Sequence, residues 1–180
     1  MKRFIFWSLM FAGVLVSTYV TVMLFATGSL FVNPFVPELT FNDMIPSAEN
    51  LELCWLFLRY IVENIGDLFQ MPFVDVMPTY GFLLFLLINA YLMLSMLFAL
   101  LFSLFRLRRV KRFYAGSVLF FVSALLLVGG FGYLVYELID AGVAFGDVFS
   151  MFTWWFWVPI GMAWFLMIFA LIFKKTEREF

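Results

Sequence analysis

Residues 106–112, Arg-Leu-Arg-Arg-Val-Lys-Arg, carry five positive charges in seven positions, and an uncharged apolar run of more than twenty residues lies on either side. A cluster of that density does not cross a bilayer cheaply, and Lys and Arg accumulate in cytoplasmic loops. The stretch therefore reads as a cytoplasmic hairpin between two transmembrane helices. The threading of the rest of the chain follows from it.

The composition agrees. Of the 180 residues, 66% are hydrophobic, 13% charged and 22% aromatic, whereas soluble domains run at about 45–50% apolar and about 25% charged. With no histidine, the commonest metal ligand and general base is missing. Cys54 is the single cysteine, so neither an internal disulfide nor a thiolate metal cluster can form. No metal, no cofactor and no nucleic-acid partner is expected.

Three further apolar stretches complete a four-span plan. Residues 4–26 follow Lys2 and Arg3 and are long enough to cross a hydrocarbon core of about 30 Å. A signal peptide is the rival reading, but its apolar region is only about 7–15 residues long. Residues 80–105 and 113–136 flank the basic hairpin, and residues 154–173 form the last span. The expected fold is an all-α membrane protein: one domain, a four-helix bundle with both termini inside.

Charge placement tests that plan. The inner segments hold ten of the eleven basic residues, and the outer loops hold ten of the twelve acidic ones. Arg59 is the one basic residue expected outside.

The outer loop 27–79 is too structured to be a plain linker. Pro34, Pro37 and Pro46 disfavour helix in its first half. From 49 to 70, Glu49, Glu52, Arg59, Glu63, Asp67 and Gln70 keep close to one helical face, while Trp55, Leu58 and Val62 belong to the apolar remainder. A fifth span is disfavoured. Ten apolar residues contribute roughly -5 kcal/mol, and Arg59 and Glu63 near the centre cost roughly +2.5 to +3.5 kcal/mol each. The segment reads as an amphipathic helix at the outer interface, with Gly66 placed to break its last turn.

Several constellations could carry function. Gly13, Ser17 and Thr21 recur every fourth residue on the first span, and such small residues let helices approach closely. Gly129, Gly130 and Gly132 offer a second packing or kinking element on the third span. Asn89 is the most polar side chain deep in a span and needs a partner within the bundle. Trp154, Trp155 and Trp157, with Tyr133 and Tyr136, read as an outer aromatic belt, and Pro159 as a kink below it. Arg106, Arg108, Arg109, Lys111 and Arg112 sit against anionic lipid and also suit an acidic cytosolic partner.

Four spans with a large first outer loop resemble the claudin-like layout, but a lone Cys54 lacks the paired-cysteine motif of that family. The chain is similar in size and span number to the small membrane subunit of Kiwa-type anti-phage pairs, a likeness of layout that no motif carries. These readings lead to two expectations. The first is a non-enzymatic, self-associating subunit of the bacterial inner membrane. It would act as an envelope sensor or as an anchor for a soluble cytoplasmic partner, as in a stress or phage-defence pair. The second is a pore or cation-channel subunit, with acidic outer loops that concentrate cations.

Overall fold

The apolar runs become four long helices in the computed structural model, which describes residues 2–33, 39–104 and 116–176. They are α1 (Lys2–Thr27), α4 (Phe73–Leu104), α5 (Gly116–Asp140) and α7 (Trp157–Thr176). Within them, Phe4–Thr27, Thr79–Leu101, Ser117–Asp140 and Trp154–Ile172 are long and apolar enough to cross a membrane. Between them lie α2 (Ala48–Glu63) and the short helices α3 (Ile65–Leu68) and α6 (Phe145–Val148). The basic hairpin, residues 106–112, lies outside the described residues.

The long helices pack in chain order around a closed ring. α5 packs most extensively on α7 and α1 on α4, and the α4–α5 and α1–α7 contacts complete the circuit. Lipid is as apolar as leucine, so membrane helices associate through close packing and hydrogen bonds. The buried residues fit that requirement: Ala99, Ala124, Ala163 and Val14 are 0% exposed, and Phe85, Phe120, Met10 and Met96 fill the space between them. Outward-facing Leu9, Leu87, Leu94, Phe165 and Leu171 remain exposed, as helices bathed in hydrocarbon require.

Two glycines with left-handed backbone end helices at the same end of the bundle. Gly28 (φ 65) follows α1, and Gly142 (φ 93) follows α5. At the second, Val143 N–H donates to the Leu138 carbonyl at 3.1 Å and Gly142 N–H to that of Ile139 at 3.0 Å. That pair is a Schellman cap, which favours glycine at its left-handed position.

Some boundaries differ from the sequence expectation. α4 starts at Phe73, seven residues early, and runs through Pro78. α5 continues past Tyr136 and takes Glu137 and Asp140 into its last turn. The loop helix breaks at Asn64 rather than at Gly66, because Asn64 (ψ 8) leaves the helical path first. Pro159 falls in the first turn of α7, where its missing N–H forfeits no intrahelical bond, so it does not act as a mid-span kink.

Candidate functional site

Two features stand out against the apolar packing: a polar knot midway through the bundle and a cap that closes one end.

The knot centres on Asn89, which is 0% exposed. Its Nδ2 donates to Thr18 Oγ1 of α1 at 3.0 Å, and Ser123 Oγ of α5 donates to its Oδ1 at 2.6 Å. Thr18 spends its own proton on the Val14 carbonyl at 2.8 Å. Its oxygen can then only accept, which fixes the amide orientation. One side chain thus joins three helices at a depth where each bond replaces an unsatisfied polar group in hydrocarbon. Near it, Thr21 Oγ1 donates to the Ser17 carbonyl at 2.8 Å, and Ser17 Oγ is buried with no hydrogen-bond partner among the described residues.

The cap is built from both loops at the end marked by Gly28 and Gly142. Val32 N–H donates to the Met151 carbonyl at 2.8 Å and Thr153 N–H to that of Leu30 at 2.9 Å. These bonds form an antiparallel bridge between Phe31 and Phe152, whose rings stack at 5.2 Å. Thr153 Oγ1 also donates to the Ser29 carbonyl at 2.5 Å. Trp155 Nε1 reaches the Leu39 carbonyl at 2.8 Å. Beneath the bridge runs a chain of rings, Phe57–Phe82–Phe25–Phe131–Phe156–Phe152, with neighbouring centroids 4.2 to 6.1 Å apart. It links α2, α4, α1, α5 and the turn that leads into α7.

α2 begins at a Ser47 cap, whose side chain accepts from Asn50 N–H at 3.1 Å. Its buried or half-buried positions, Asn50, Cys54, Phe57, Leu58 and Ile61, recur at helical spacing and face the bundle. Burial pushes the Cys54 thiol above its ordinary pKa, which disfavours the reactive thiolate. Glu52, Arg59 and Glu63 are exposed on the opposite face, with Arg59 Nε and Glu63 Oε1 2.7 Å apart. More than half exposed on both sides, that pair contributes little stability. Trp55 and Val62 are 64% and 63% exposed and are left uncovered by the protein.

The residues singled out from sequence are divided by the structure. Ser17, Thr21 and Asn89 are buried in the bundle. Gly13 lies directly under the Phe169 ring of α7, which a Cβ there would strike. At Gly129, Gly130 and Gly132 a Cβ would meet nothing within 4 Å, so these glycines make no close contact with another helix among the described residues. Trp154 and Trp157 are exposed as belt residues should be, but Trp155 is 3% exposed and turned inward to hold the first loop. Arg106, Arg108, Arg109, Lys111 and Arg112 lie outside the described residues. Sequence reasoning missed the ring chain through Phe25, Phe82, Phe131 and Phe156, because phenylalanine is so abundant that no position stands out.

Among the described residues no group of three or more His, Cys, Asp or Glu side chains could hold a metal ion. Four long apolar helices with a polar knot inside and irregular backbone confined to the ends define a polytopic α-helical membrane protein. No protein-family profile, curated protein or solved structure matches the chain.

Proposed function

We propose that this chain is a non-enzymatic membrane subunit that anchors a soluble, acidic cytoplasmic partner and senses the state of the envelope through its cap. The observation that carries the reading is the contrast between the two ends of the bundle. One end is closed by hydrogen bonds between its loops and by a run of stacked rings. At the other, α1 and α5 begin and α4 and α7 end, and ten of the eleven Lys and Arg residues flank those ends in the sequence. Clustered positive charge raises the local concentration of acidic partners and holds the end against anionic lipid.

In this reading α2 lies in the interface on the capped side. Cys54 and Phe57 face the bundle, Trp55 and Val62 face lipid, and the Glu52–Arg59–Glu63 face meets water. Self-association uses the outward face of α5 at Gly129 and Gly132. A bacterial inner membrane, in a stress or phage-defence pair, suits such a subunit. A conduit through a single copy is disfavoured by the filled interior around Val14, Phe85, Asn89 and Phe120.

The test replaces Arg106, Arg108, Arg109, Lys111 and Arg112 together with Gln and compares which soluble proteins copurify with the detergent-solubilised chain. A soluble protein retained by the wild type and lost from the variant supports anchoring. Retention of the same proteins by both sinks it, and so does steady ion conductance of the purified wild type in vesicles.

A further inference from the structure

A cavity of about 40 Å³ lies among α1, α4 and α5, toward the capped end. Thr21, Phe85, Leu127 and Phe131 in its lining are nearly fully buried, while Phe25, Gly81, Phe82, Leu126, Gly130 and Leu134 are half-buried, and all of these but Phe25 belong to α4 and α5, the side on which the cavity opens. Counted along the helices at about 1.5 Å per residue, Gly81 lies roughly 3 Å and Gly130 roughly 15 Å below the ends of their spans. The opening therefore runs through the leaflet next to the cap, from the border of the hydrocarbon at Gly81 to its interior at Gly130.

The size and the lining decide what can occupy this space. A water molecule needs about 10–15 Å³ and two to four polar partners. The cavity is large enough for water, but its lining is apolar apart from Thr21, whose hydroxyl proton is already given to the Ser17 carbonyl. A second protein helix, about 10–12 Å across with its side chains, is too wide to enter. A methylene chain is narrow and apolar, and it is the solvent just outside the mouth. The space beside both glycines is empty: a Cβ built on either would meet no atom of another helix within 4 Å, so a larger side chain there would take up room that is now open.

We infer that this cavity is a binding site for one acyl chain of a bilayer phospholipid, which enters between α4 and α5 from the leaflet on the capped side. The chain seats against the ring path that runs through Phe82, Phe25 and Phe131 to the cap. Lipid order in that leaflet then bears directly on the packing beneath the bridge.

The full chain is reconstituted in phosphatidylcholine vesicles doped with a phosphatidylcholine that carries a diazirine midway along one acyl chain. After illumination, adducts are mapped by mass spectrometry. Phe85 and Leu127, only 1% and 4% exposed, should be labelled alongside the outward-facing Leu84 and Leu87. Gly130→Leu fills the cavity and should abolish the Phe85 and Leu127 adducts while those on Leu84 and Leu87 persist. Gly81→Ala, a smaller filling, should lower the same two adducts, so the test stands even where leucine at 130 is not tolerated. Wild-type protein without adducts on Phe85 and Leu127 overturns the site. Equal labelling in the wild type and Gly81→Ala overturns it too.

Discussion

Ser123 gives its hydroxyl proton to Asn89 Oδ1 across the α4–α5 contact at 2.6 Å, and both residues are 0% exposed. No water competes at that depth, so the bond is exchanged only for an unsatisfied group or for another protein partner. Interhelical hydrogen bonds in membranes are nevertheless modest, about 0.6 kcal/mol on average and up to about 2 kcal/mol. Asn89→Leu should therefore destabilise the bundle by about 1–2 kcal/mol, read as a lower midpoint in detergent-denaturant titration. Adding Ser123→Ala should cost less in the Asn89→Leu background than in the wild type, because the hydroxyl has already lost its acceptor. Strict additivity in that cycle would mean that the two side chains do not interact.

Gly13 and Phe169 set the spacing of α1 and α7. A Cβ at 13 runs into the ring, so Gly13→Ala should cost about 1–3 kcal/mol as overpacking, and Gly13→Leu more. Phe169→Leu should recover part of the loss in the Gly13→Ala background. Thermal unfolding of the purified variants measures this, while particle mass should be unchanged by Gly13→Ala.

Trp155 holds the first loop through a single N–H bond to the Leu39 carbonyl. Trp155→Phe keeps the ring and removes the donor, at an expected cost of about 1 kcal/mol. The visible sign should be faster protease cleavage of the first loop close to residue 39, with the spans left intact.

Asp43 receives the Thr40 backbone N–H at 2.7 Å and the Thr40 hydroxyl at 2.8 Å. The backbone bond first, and the hydroxyl second, hold its carboxyl below the ordinary range. A depressed pKa in the folded state means the contribution is complete above the ordinary Asp value of about 3.9 and is lost as pH falls through the folded value. Amide exchange at Thr40, corrected for the intrinsic rate, should therefore lose protection in acid. Asp43→Asn should flatten that dependence.

How far the sequence revealed this molecule depended on the range of each signal. The four spans and the loop helix rest on runs and periodicities within twenty-odd residues, and those are local. The cap was hidden because Leu30 and Thr153 carry no mark of each other. The knot was half legible: an amide in a span must find a partner, but nothing nearby says that Thr18 and Ser123 supply it. Gly13, under a ring, and Gly129, facing outward, could not be told apart, because a glycine carries no sign of what packs against it. Trp154, Trp155 and Trp157 read as one belt, although Trp155 turns inward to hold a loop.

The bridge also sets an order of events during synthesis. Ser29 and Thr153 are 124 positions apart, and at about 5–20 residues per second the first loop waits roughly 6–25 s for its counterpart to be made. Until then α1 is in place but its exit strand has nothing to pair with. Closure of the bridge requires the loop before α7 to lie on the same side of the membrane as the loop after α1. A chain whose later helices insert the wrong way round leaves the Leu30 carbonyl and the Val32 N–H without the partners that Thr153 and Met151 supply.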